Sequence, residues 1–172
     1  MTLIQTEFPG LYLVYHFSNM DSRGSFVKPW INGELSDQFG DLHEIYCLQS
    51  KKGVLRGLHY QAEKFAQKKY VACLDGVIED IALDLRSNSP TYGKLFRKVL
   101  RGMDGCGVLI SGGFAHAIFA HESSVSMTCC DSKYAPEHEK GVNWRSLVEL
   151  ADLQVTTVSD KDRGLPFWSG SV

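Results

Sequence analysis

A chain of 172 residues, 44% hydrophobic and 22% charged, has the length and composition of one domain able to bury a substantial core. Its formal charge of -2 supplies no basic field for a nucleic-acid backbone, and no run of Lys and Arg is long enough for a DNA or membrane patch, so neither is expected as a partner. The start, Met1-Thr2-Leu3-Ile4-Gln5-Thr6-Glu7, lacks a basic region followed by a long apolar core. With no apolar run near the roughly 20 residues that cross a bilayer, a cytoplasmic protein is expected. The five cysteines, Cys47, Cys73, Cys106, Cys129 and Cys130, form no C-x-x-C pair and read as reduced, mostly buried thiols.

In chain order, Phe8 to Tyr15 alternates as a strand entered through a Pro-Gly turn and prolonged by Phe17. Asp21-Ser22-Arg23-Gly24-Ser25-Phe26 follows, where the Arg23 guanidinium suits a phosphate pair and the Phe26 ring suits stacking on a base. Residues 30 to 43 are polar and read as an irregular or helical crossing before a strand from His43 to Gln49. The stretch Gly53-Val54-Leu55-Arg56-Gly57-Leu58-His59-Tyr60-Gln61 has the period of a half-buried strand, with Arg56, Leu58 and Tyr60 on one side and Leu55, Gly57 and His59 on the other. An imidazole held in mid-strand suits proton transfer.

Lys68 to Leu74 reads as the next strand, with Lys69 ten residues past His59; Asp75-Gly76 then signals a tight turn that would join it to Val77–Arg86 in a β-hairpin. Ser89-Pro90-Thr91-Tyr92-Gly93-Lys94 marks a turn. Further strands are expected at Phe96–Leu100 and Gly107–Ile110, and Gly112-Gly113-Phe114-Ala115-His116-Ala117-Ile118-Phe119 brings a second histidine 57 residues after the first. Arg145 to Leu153 is the one plausible helix. Short strands about every ten residues with Gly-rich turns between them predict an all-β barrel or jelly roll.

The nonapeptide 53–61 resembles the signature of the dTDP-4-dehydrorhamnose 3,5-epimerase family. Other stretches resemble the same family in the same order: D-x-R-G-x-F at 21–26, S-P-T-[FY]-G-K at 89–94, G-F-A-H-G-F at 113–118, Y-x-P-E-x-[DE]-x-G-I-x-W at 134–144 and L-S-x-K-D at 158–162. The resemblance implies a single cupin-type jelly-roll β-barrel over residues 1–172 with a short C-terminal helical segment. It also implies a homodimer that inverts C3, C5 or both of a nucleotide-linked 4-keto-6-deoxy sugar in deoxysugar or surface-polysaccharide biosynthesis, without a cofactor.

By the same resemblance His59 is the base and Asp162 its partner, Lys69 is an active-site lysine, and His116 and Lys161 lie at the substrate. Arg23 and Phe26 bind the nucleotide diphosphate, often in the neighbouring subunit's site. Arg56, Glu139, Glu44, Tyr46 and Thr128 complete the candidate substrate-binding set. No H-x-H pair accompanies His59, so a metal-free site is expected.

Several positions depart from the family pattern. Lys28 stands where a Glu is usual, and Glu44-Ile45-Tyr46 replaces Gln-x-Asn. Thr128 occupies the place of the tyrosine that serves as proton donor. A threonine hydroxyl is far less acidic than a phenol near 10, so Tyr134, the nearest surviving phenol in sequence, is the expected catalytic proton donor. Chemically, His59 would remove the hydrogen beside a ketone while Lys69, with His116, stabilises the enolate oxygen. Two alternatives stay open at this stage: a ketoisomerase using the same histidine, and a binding protein without catalysis. The nucleotide could be dTDP-, CDP- or GDP-linked.

Overall fold

The computed structural model describes residues 1–170. In chain order the strands are β1 (Thr2–Gln5), β2 (Leu11–Tyr15), β3 (Ser18–Asp21), β4 (Gly24–Val27), β5 (Glu44–Ser50), β6 (Leu55–Gln61), β7 (Lys69–Asp75), β8 (Val77–Asp84), β9 (Leu95–Arg101), β10 (Cys106–Ile110), β11 (Phe114–Ala120), β12 (Ser124–Cys130) and β13 (Glu139–Gly141), and α1 (Asp160–Arg163) follows. One sheet has the order β1-β2-β10-β7-β12-β5 and the other β13-β6-β11-β8-β9, while β3 and β4 form a separate hairpin. Neighbouring strands in these sheets pair antiparallel throughout the described residues, as the all-β jelly-roll expectation requires. No helix among the described residues is long and apolar enough to cross a membrane.

Two-residue periodicity sorts the side chains into three apolar layers. Leu11, Val71, Cys73 and Val108 of the first sheet meet Ile78, Ala82, Leu100 and Ile118 of the second inside the barrel. Alternate residues of the first sheet, among them Tyr70, Leu109 and Cys129, face outward and are covered by Leu35 and Phe39 from the crossing segment. Those of the second, Ile81, Leu83, Ala115 and Phe119, are covered by Val142, Leu147, Leu150 and Leu153. Fully burying one such side chain stabilises by about 1.5–3 kcal/mol, so the two outer layers help hold the sheets and one end of the interior is left free to carry polar groups.

Three local expectations are corrected. β7 and β8 do not form a hairpin: Asp75-Gly76 turns the chain from one sheet into the other, because β7 pairs with β10 and β12 whereas β8 pairs with β11 and β9. A Cβ at Gly76 would lie 2.2 Å from the Ser123 carbonyl oxygen, so the turn needs glycine for close approach as well as for its φ of 73°. Phe17 does not extend β2, which stops at Tyr15. Arg145–Leu153 is two 3₁₀ turns, Trp144–Ser146 and Val148–Leu150, separated by Leu147 in extended conformation. The spacing of Leu147, Leu150 and Leu153 by three aligns them on one edge of such turns, over the outer layer, and the α-helical turn comes later at α1. The cysteines are unbridged, with Cys47 exposed and the other four buried.

The Ser89–Lys94 turn acquires a physical reason. Ser89 Oγ and Thr91 Oγ1 donate to Asp84 Oδ2 at 2.6 and 2.7 Å, and the Arg86 guanidinium donates to both carboxylate oxygens at 2.8 and 2.6 Å. Burial alone would raise this carboxyl, but the hydrogen bonds outweigh it and bring Asp84 down to about 2 from an ordinary 3.8. A carboxyl depressed in the folded state stabilises above its unfolded value and loses that contribution as pH falls through its folded value; here that is about 2 kcal/mol, lost between roughly pH 4 and pH 2. In melts recorded across this window, Asp84→Asn is expected to begin less stable than the wild type and to lose less on acidification. Identical pH dependence in the two proteins would remove the network from acid stability.

Candidate active site

One end of the barrel interior is polar, and the sequence signature lies there. β11 registers His116 against His59 but Ile118 against Arg56, so Gly57 and Leu58 together oppose Ala117 in a β-bulge. A Cβ at Gly57 would come within 2.4 Å of the His116 carbonyl oxygen, and its φ is 118°, so only glycine fits. The bulge overturns the simple alternation expected for this strand. Leu55 and Leu58 both enter the outer apolar layer, while Arg56 and His59 both line an inner cavity.

His59 Nε2 lies 2.7 Å from Asp162 Oδ1, and the other carboxylate oxygen accepts the Gly57 N–H at 3.1 Å. Asp162 is held in the first turn of α1, where its own N–H donates to the Ser159 hydroxyl that caps the turn. Burial would raise the Asp162 carboxyl, but the hydrogen bonds from His59, Gly57 and Ser159 win and hold it below the usual carboxylate range. An ionised Asp162 only accepts, which assigns the proton to Nε2 and leaves the Nδ1 lone pair available. Glu139 Oε1 stands 3.8 Å from that Nδ1. Its second oxygen accepts from the Tyr134 hydroxyl at 2.5 Å and from Lys161. Opposing burial, these partners and the nearby imidazole keep Glu139 below its ordinary value.

A cavity of about 310 Å³ opens at His59, walled by Glu44, Tyr46, Gln61, Lys69, Tyr134 and Glu139. A second, of about 490 Å³, holds Arg56, Lys161 and Asp162, and both cavities share Tyr46 and His59. Burial pushes the Lys69 ammonium below its ordinary value, opposed by the carboxylates of Glu139 and Asp80. His116 is buried behind it in a recess that both line, with Nε2 2.7 Å from Asp80 Oδ2. Tyr46 of β5 is the register partner of Thr128, whose Oγ1 is buried without a hydrogen-bond partner and lines neither cavity. Arg23 and Phe26 lie apart from this cluster. The Arg23 guanidinium pairs with Asp21 at the exposed tip of the β3–β4 hairpin, and Phe26 makes an edge contact with Phe17.

Sequence reasoning overlooked Asp80. The signal was available: a run of Val, Ile, Ala and Leu that is buried throughout contains Glu79 and Asp80, and two carboxylates in such a strand require partners. Glu79 finds Arg97 and His121 on the outer side, and Asp80 finds His116 inside. Gln61 was overlooked too; its side chain accepts the Ala135 N–H and donates to the Phe65 carbonyl, fixing the loop that carries Tyr134. Among the described residues no three His, Cys, Asp or Glu side chains converge as a metal-ligand set.

An all-β cupin-type barrel with a carboxylate-anchored imidazole and a half-buried ammonium facing one cavity has the make-up of an isomerase that works by moving protons. The family model of dTDP-4-dehydrorhamnose 3,5-epimerase matches residues 5–169, and the chain belongs to that family. It is 32% identical to the dTDP-4-dehydrorhamnose 3,5-epimerase of Shigella flexneri, over 94% of this chain and 93% of the relative. Among solved structures it is similar to the dTDP-6-deoxy-D-glucose-3,5-epimerase of Legionella pneumophila in complex with dTDP-4-keto-L-rhamnose. The TM-score is 0.87 at 28% identity, covering 96% of this chain and 92% of that one. It is likewise similar to NovW, a 4-keto-6-deoxy sugar epimerase from Streptomyces spheroides, with a TM-score of 0.87 and 27% identity over 97% and 87% of the two chains.

Proposed function

We propose that this chain inverts C3, C5 or both of a nucleotide-linked 4-keto-6-deoxy sugar in the cytoplasm, by removing and returning a proton through an enolate. The observation that carries the reading is the anchoring of His59 Nε2 by Asp162, which leaves Nδ1 as the basic atom of a fixed ring at the wall of a cavity. Such a ring takes the weakly acidic hydrogen beside the ketone, and Asp162 then stabilises the imidazolium. Lys69 sits where an ammonium can meet negative charge developing on the C4 oxygen, and the Asp80-anchored His116 supports it from the recess. Arg56 and Lys161, on the walls of the adjoining cavity, supply charge for the diphosphate, and Glu44, Tyr46 and Glu139 shape the sugar site, while Thr128 stands beside Tyr46 on the neighbouring strand without reaching the cavity. Arg23 and Phe26, on an exposed hairpin remote from their own cavity, serve the site of the second copy in a homodimer.

The test is proton–deuterium exchange in D2O, followed by NMR, with dTDP-, CDP- and GDP-linked 4-keto-6-deoxy sugars. Deuterium is expected at C3, C5 or both for at least one nucleotide, with an inverted product. Absence of exchange for the whole panel, from a protein that binds the nucleotides, would make the chain a binding protein.

A further inference from the structure

We propose that the phenol of Tyr46 is the acid that delivers a proton to the sugar face opposite His59. The proposal rests on the epimerase reading above and names a residue for its second half-reaction. Inversion at a carbon needs a donor across the enolate from the base, because return from the base's own side restores the starting configuration. His59 stands on β6 of the second sheet, whereas Tyr46 stands on β5 of the first. These two residues are the ones common to both cavities, so a sugar seated against the imidazole also lies against the Tyr46 ring.

The other two phenols of the cavity are tied to the base, Tyr60 through its strand and Tyr134, whose backbone N–H reaches Glu44 of β5, through its hydroxyl. Tyr60 follows His59 on the same strand. Tyr134 commits its hydroxyl to Glu139, a residue of β13, which pairs with β6, and the other oxygen of that carboxylate is already beside His59 Nδ1. Thr128, where a phenol is missing, is the register partner of Tyr46, so the aromatic hydroxyl is displaced by one strand and remains on the same sheet. Burial first, then Cys130 and the carboxylates of Glu44 and Glu139, outweigh the lowering effect of the adjacent Thr128 hydroxyl and push the Tyr46 phenol up to about 12, so it carries its proton at neutral pH as a donor must.

Atoms and charges balance. His59 takes the hydrogen from the α-carbon, the C–H electron pair becomes the enolate, and the Tyr46 O–H gives its proton to that carbon from the other face. The tyrosinate and the imidazolium left behind are reset by proton exchange with water.

The discriminating measurement compares deuterium incorporation with inversion in one NMR time course, using whichever 4-keto sugar of the dTDP, CDP and GDP panel the wild-type protein exchanges. Tyr46→Phe is expected to keep incorporation within a few-fold and to lower inversion about 10²-fold or more, whereas Tyr134→Phe leaves the ratio of the two rates unchanged. The double variant Tyr46→Phe/Thr128→Tyr, which returns a phenol one strand away, is expected to recover inversion at least tenfold over Tyr46→Phe. Inversion by Tyr46→Phe at the wild-type ratio overturns the proposal and leaves the epimerase reading standing, as does a ratio that falls only in Tyr134→Phe. A wild-type protein that exchanges without inverting, or does not exchange, overturns both.

Discussion

His59→Asn is expected to lower turnover about 10³-fold while the dissociation constant for the free nucleotide stays within a few-fold of wild type. A general base contributes roughly 10²–10⁴-fold, and the charges assigned to the diphosphate, Arg56 and Lys161, are separate side chains that the substitution does not remove. Asparagine approximates the reach of the imidazole without its basic nitrogen, so the Asp162 carboxylate keeps the Gly57 N–H and the strand keeps its bulge. The measurement pairs steady-state rates with nucleotide titration by calorimetry. Washout of the α-hydrogen at the wild-type rate in this variant would remove His59 from the mechanism.

Asp162→Asn, a change of one atom, is expected to be nearly as damaging, with a loss of roughly 10³–10⁴-fold, as when a buried carboxylate behind a catalytic histidine is made an amide. The direction follows from Gly57. Its N–H needs an acceptor, so the amide oxygen takes the place of Oδ2 and the NH2 group is turned toward His59 Nε2. That nitrogen must then accept, the proton moves to Nδ1, and the lone pair facing the cavity is lost. Because the amide preserves shape, nucleotide affinity and melting temperature should change little. Nitrogen NMR of the labelled imidazole would show the tautomer exchange, and a fully active Asp162→Asn protein with the wild-type tautomer would refute this account of the pair.

What the sequence made legible was whatever depends on local pattern. Alternation and turn signals located the six strands β5 to β10 to within a residue or two, from His43–Gln49 for β5 to Lys68–Leu74 for β7, and the ordered motifs brought His59, Lys69, His116, Glu139 and Asp162 into one cluster. What escaped depends on contacts distant in sequence. A turn dipeptide such as Asp75-Gly76 marks reversal of direction but not the sheet that receives the next strand. The bulge at Gly57 is set by β11, 60 residues away at Ala117, so reading β6 alone put Arg56 and His59 on opposite faces. The helix expected at Arg145–Leu153 failed because covering a sheet with leucines three apart favours 3₁₀ turns over the 3.6-residue repeat. Tyr46 was seen as an altered contact. Only its register with Thr128, on the sheet facing the histidine, shows a phenol in a new place.

The strap that covers the second sheet also ties the two halves of the His59–Asp162 pair together. From Val142 it runs over the outer layer through Leu147, Leu150 and Leu153, and passes Gly53 and Leu55, whose backbones it bonds at Thr156 and Thr157. It then presents Asp162 to a histidine 103 positions earlier. The strands of the barrel pair with one another without it, whereas the imidazole takes its orientation from it. Local opening of its α1 end alone, with the leucines still seated on the sheet, would leave a standing barrel with an unaimed base, so catalytic competence and global foldedness are separable properties of this chain, and the first can be lost at a lower free energy than the second.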